Sequence, residues 1–156
     1  MEMTGSCARA HRRVMGLTIK RMACIIGVSE STLKNFETSR ILLPRGIARK
    51  MEAVIAHTSR SIDTVVSAAR KIDGVPVGVL YRYKSYPLDG PLRLLGMDWW
   101  ASVLAQASLR TPIRIGYLGE VVEEIGMEES TSLLLQPSLL EPLDLESVST
   151  LVQEGA

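Results

Sequence analysis

The sequence predicts a mainly α-helical chain: a bundle of short helices at the N-terminus, a long connecting helix, and a small α+β domain at the C-terminus. Three observations carry this prediction. Residues 17–40 alternate helix-capping residues with apolar residues at helical spacing, and apolar residues keep a three-four spacing throughout residues 47–72. At residues 75–84 the apolar period then shortens to that of a strand.

Residues 17–40 divide into two helices around a tight turn. Thr18 is the expected N-cap of the first, Gly27 stands where that helix has to stop in a left-handed conformation, and Ser29 is the expected N-cap of the second. Met22, Ile26, Val28, Leu33 and Phe36 are the positions two crossed helices would bury against each other. Ala23, four residues before Gly27, must be small because the helices come closest there. Between the buried positions of the second helix lie Glu30, Ser31, Thr32, Lys34 and Asn35, a polar face of the kind a major-groove helix presents. The pattern is a helix-turn-helix.

At these residues the chain resembles the Cro/C1-type helix-turn-helix repressors. Leu17-Thr18, Ala23, Gly27-Val28-Ser29, Leu33 and Phe36-Glu37 stand at that family's spacing, and Phe36-Glu37 with Arg40 and Pro44 is similar to the Trp-Glu-x-x-Arg-x-x-x-Pro run of YdiL-like regulators, which include anti-CRISPR-associated repressors. Phe36 replaces the Trp, and Ile19 stands where many members carry a Gln that touches the DNA backbone. The resemblance implies a double-stranded DNA operator as partner. It places Glu30, Ser31, Thr32 and Asn35 on base edges, and Thr18, Ser29, Lys34, Arg40 and Arg45 on phosphates. The chemistry agrees: Asn35 can bind adenine through two hydrogen bonds, and Glu30 can accept from a cytosine amino group. Glu37, an anion beside DNA, is expected to be structural, paired with a nearby Arg or N–H.

Charge is unevenly distributed along the 156 residues. Residues 1–50 hold ten Lys/Arg against three Asp/Glu, whereas residues 116–156 hold no Lys/Arg and nine Asp/Glu. A basic head suits a polyanion. The hydrophobic content of 46% is enough for a packed core. No apolar run approaches membrane-spanning length and the first residues lack a signal peptide's apolar segment, so no membrane partner and a cytoplasmic location are expected. Cys7 and Cys24 lack a CxxC spacing and His11 and His57 lack a second ligand nearby, so neither a metal nor a cofactor is expected.

The remaining segments follow in order. Residues 5–15 form a first helix that packs through Ala8, Val14 and Met15 and keeps Arg9, Arg12 and Arg13 outside. Pro44 opens a further helix running to Gly74; a break at residues 58–61, capped by Ser59 or Ser61, is the alternative to one long helix. Residues 75–84 read as a half-buried strand, placed at a sheet edge by Pro76 and partnered by residues 113–117 or by another subunit. Residues 86–91 read as a loop, Asp98 as the cap of a helix bearing Trp99 and Trp100, and residues 118–125 as one more helix. Tyr86-Pro87, Asp89-Gly90 and Asp98-Trp99 are similar in order to the C-terminal half of YdiL-like proteins, which makes the dimer in that family. A homodimer interface is accordingly expected at Val77, Val79, Tyr81, Trp99, Trp100, Val103 and Leu104. The expected domains are residues 1–57 (DNA binding), 58–115 (dimerisation) and 116–156, an acidic extension whose leucine clusters should dock in part or meet a protein partner.

Together these features predict a sequence-specific DNA-binding repressor of the autoregulatory kind found in phage and mobile elements, bound as a dimer to an inverted repeat. The alternative is an antitoxin whose DNA-binding domain autoregulates while its C-terminal part neutralises a toxin. Enzymatic function is not expected, for the sequence offers no Ser/His/Asp set, no phosphate-cradling glycine loop and no metal spacing.

Overall fold

The computed structural model describes residues 2–82, 92–120 and 133–144. They are mainly helical with a small three-stranded parallel sheet, and the chain forms two compact units, one of Met1–Thr58 with the described residues 143–144 and one of Ser59–Pro142. Among the described residues no helix is long and apolar enough to cross a membrane.

The first unit contains α1 (Gly5–Val14), α2 (Ile19–Ile26), α3 (Glu30–Glu37) and the start of α4 (Arg45–Lys71). Thr4, Thr18 and Ser29 cap α1, α2 and α3, each side-chain oxygen accepting from a backbone N–H three residues on. Gly27 ends α2 at φ 75°, a left-handed conformation that costs glycine nothing. Its N–H and that of Val28 both donate to the Ala23 carbonyl, at 2.9 and 3.0 Å, which satisfies the helix end. Lys50 of α4 adds a charged donor there, its Nζ lying 3.1 Å from the Ile26 carbonyl oxygen. Ala8, Met15, Leu17, Met22, Ala23, Ile25, Ile26, Leu33, Phe36, Met51 and Val54 are the buried core. Val28 is only half-buried, because it lies in the turn rather than on a helix face, and Val14 is exposed at the end of α1.

Helix α4 is continuous across residues 58–61, so no second cap forms there. Thr58 and Ser61 are buried, and the Thr58 hydroxyl bonds the Val54 carbonyl one turn back at 2.9 Å, within the uninterrupted helix.

In the second unit, the rest of α4 is followed by β1 (Val77–Leu80), α5 (Leu92–Leu95), α6 (Met97–Ser108), β2 (Arg114–Tyr117) and β3 (Leu134–Leu135). The strand order is β2-β1-β3, all parallel, with Val77 opposite both Arg114 and Leu134. Residues 113–117 are thus the partner the strand period demanded, but β1 is central rather than an edge. Pro76 is tolerated because it precedes the strand, and its carbonyl accepts from Arg114 N–H at 3.0 Å. Nor is β1 half-buried: Val77, Gly78 and Val79 are all buried, as befits a central parallel strand covered on both faces. Gly78 lies beneath Leu104, whose Cδ2 would stand 2.6 Å from a Cβ at that position.

Asp98 does not cap α6. Gly96 takes the N-cap position without a side-chain bond, leaving Asp98 exposed in the first turn, where its charge still favours the helix dipole. The sheet crosses the expected boundary at 115/116, since β2 spans it and β3 lies within the presumed extension, with Leu135 and Leu140 buried. The expected loop at residues 86–91 and most of the expected helix 118–125 lie outside the described residues; residues 118–120 are helical.

Candidate nucleic-acid interface

Helix α3 has a sharply divided circumference. At about 100° per residue, Leu33, Phe36 and Glu37 share one buried arc, while Ser31 and Asn35 sit at the centre of the opposite arc, with Glu30 and Lys34 on one flank and Thr32 on the other. Glu30, Ser31 and Lys34 are exposed, and Thr32 and Asn35 are half-buried. The side chains of Glu30, Ser31, Lys34 and Asn35 take part in no hydrogen bond or ion pair among the described residues. Asn35 therefore offers an uncommitted amide, with donor and acceptor side by side.

The two hydroxyls at the start of α3 are coupled. Ser29 Oγ accepts from Thr32 N–H at 3.1 Å and donates to Thr32 Oγ1 at 2.8 Å, so its own proton is spent inside the protein while the Thr32 proton remains to be donated. Ser29, expected on a phosphate, thus has its hydroxyl engaged at the start of α3. Thr18 accepts from Arg21 N–H at 3.1 Å and keeps its proton. Arg40 and Arg45, just beyond α3 and at the start of α4, are exposed, and their guanidinium groups have no hydrogen-bond or ion-pair partner among the described residues.

Behind the polar face lies a buried ion pair that the expected exposure of Arg12 misses. Arg12 Nε and Nη2 meet the two Glu37 carboxylate oxygens at 2.7 and 2.9 Å, and Nη1 donates to the Leu17 carbonyl at 2.9 Å. One guanidinium thereby ties the turn between α1 and α2 to the C-terminal end of α3. Glu37 has the structural role expected of it, and its negative charge is neutralised locally. The signal for Arg12 was present: Gly5, Ala8, Arg12 and Met15 follow one another at helical spacing on the inward face of α1.

The residues expected at a dimer interface are placed differently. Val77, Val79, Trp99, Trp100, Val103 and Leu104 are all buried within the single chain, where α6 packs on β1, and Trp100 Nε1 donates to the Val79 carbonyl at 2.7 Å. An indole whose only donor is already used in the core is not available to a second copy. Tyr81, half-buried just past β1, is the one member of the set with accessible surface.

Among known proteins, no protein-family model and no curated protein matches this chain.

Proposed function

We propose that the chain is a sequence-specific double-stranded-DNA-binding transcriptional repressor of the Cro/C1 helix-turn-helix type, cytoplasmic, autoregulatory in the manner of phage and mobile-element regulators, and bound to an inverted-repeat operator as a homodimer. One observation carries the reading. The exposed arc of α3 presents Glu30, Ser31 and Asn35 uncommitted, with the unpaired cations Lys34 on the same helix and Arg40 and Arg45 in the residues that follow it, while the opposite arc is buried. A rigid helix with free amide and carboxylate groups between phosphate-seeking cations suits base readout in a major groove.

In this reading Asn35 and Glu30 read base edges, Ser31 and Thr32 read a base or a phosphate, and Thr18, Lys34, Arg40 and Arg45 hold the backbone. Dimerisation then rests on surface other than the Trp-bearing core; the exposed Ile115 and Tyr117 on the outer edge of β2 supply such surface.

Sequencing the duplexes that the purified full-length protein retains from a random pool tests the proposal. A recovered motif with two-fold symmetry is the expected result, and a pool with no enriched sequence would overturn it. Sedimentation at micromolar concentration should show a dimer with the recovered duplex; a monomer alone would remove the dimer from the reading.

A further inference from the structure

The turn that leaves α3 displays an aliphatic tip that the repressor reading does not use. Leu42 is 92% exposed, more than any other large hydrophobic among the described residues, and its neighbour Ile41 is 47% exposed. One exposed leucine is ordinary. Here, however, two adjacent branched side chains sit in a stretch, residues 38–51, that holds Arg40, Arg45, Arg49 and Lys50 and no acidic residue.

The tip is also held in place. Ser39 adopts a left-handed φ of 61° and donates its N–H to the Phe36 carbonyl, while Arg40 and Ile41 both donate to the Asn35 carbonyl, at 3.0 and 3.3 Å. Pro44 restricts the other end before α4 begins at Arg45. Leu42 is therefore presented on a short turn bonded at its start to the residue, Asn35, at the centre of the reading face.

Length decides what such a tip would meet. Eight residues of α3 span about 12 Å, roughly the width of the major groove. With the first turn of the helix over base edges, its C-terminal end reaches the groove wall, where the sugar-phosphate backbone runs. The geometry points to Leu42, with Ile41, packing on the apolar face of a deoxyribose between phosphates engaged by Arg40 and Arg45. The surrounding positive charge favours DNA over a protein partner as the occupant. This inference rests on the DNA-reading role proposed for α3.

The test compares Leu42→Ser and Arg40→Ala in the full-length protein, titrated against the duplex recovered from the random pool and a scrambled duplex, each at several salt concentrations. Leu42→Ser should weaken both duplexes alike, by roughly fivefold, with an unchanged slope of log affinity against log salt, since an apolar contact releases no counterion. Arg40→Ala should make that slope shallower. Unchanged affinity of Leu42→Ser, a loss confined to the recovered duplex, or a loss with a shallower slope would each overturn the inference. So would an altered oligomeric state of the free Leu42→Ser protein, which would identify the tip as a protein contact. If the wild-type protein enriches a motif and Asn35→Ala relaxes its selectivity while Leu42→Ser is silent, only this inference falls; if no motif is enriched, it falls together with the reading of α3.

Discussion

Two single residues hold α1 against the end of α3 by different physics. Gly5 lies directly against the Phe36 carbonyl, so that a Cβ there would overlap the oxygen, a backbone atom that cannot rotate away. Gly5→Ala should therefore lower stability by about 1–3 kcal/mol through overpacking, measured as a fall in the urea midpoint; a midpoint equal to wild type would contradict the packing described. Arg12 and Glu37 form a bidentate pair, with side chains 11% and 3% exposed. Removing either alone leaves a buried charge without its partner and should cost about 3–5 kcal/mol, whereas Arg12→Met with Glu37→Leu should recover most of the loss. A double variant no more stable than the singles would show that the pair is not an isolated unit.

Among the elements, α3 divides its labour by circumference, and substitutions on its outer arc should leave the fold intact. Under the proposed reading Asn35→Ala should cost about 1–3 kcal/mol of operator affinity and relax selectivity at one base pair per half-site. An unaltered ratio of operator to scrambled affinity would remove base reading from this arc. In the second unit the decisive element is β1, which pairs on both sides and is covered by α6 through Trp100 and Leu104. On the outer strand, β2, the Tyr117 N–H donates to the Glu120 carboxylate at 3.1 Å, so part of that edge is satisfied locally. The Arg110–Asp63 pair at 2.7 Å is substantially exposed and adds little stability.

For the whole molecule the dominant feature is charge asymmetry, with ten of the eighteen Lys/Arg in residues 1–50 and nine of the seventeen Asp/Glu in residues 116–156. If the acidic segment tempers non-specific DNA binding, replacing Glu123, Glu124, Glu128 and Glu129 together by Gln should raise affinity for random duplex at low salt and matter less at high salt. Equal affinity at low salt would sink that role. Cutting the chain before Met127 is a poorer test, because it removes β3 and with it the buried Leu135, so it should destabilise the second unit irrespective of charge.

How much of this was legible in advance follows from the range of the interactions concerned. Thr18, Gly27 and Ser29 were readable as caps because each acts on backbone within a single turn, and the outer arc of α3 was readable because helical periodicity alone sorts Leu33 and Phe36 from Ser31 and Asn35. A period of two likewise announced β1, and the alternation in residues 113–117 announced its partner. Periodicity says nothing about what lies across a face, however. That β1 is central, that Trp99 and Trp100 are spent on their own chain's core, and that Leu134–Leu135 adds a third strand were decided by contacts between segments distant in sequence. Arg12 shows the difference most sharply. Its place on the inward face of α1 is written in the local spacing, but only the fold brings Glu37, 25 residues away, to meet it, and without that carboxylate a guanidinium could not stay buried.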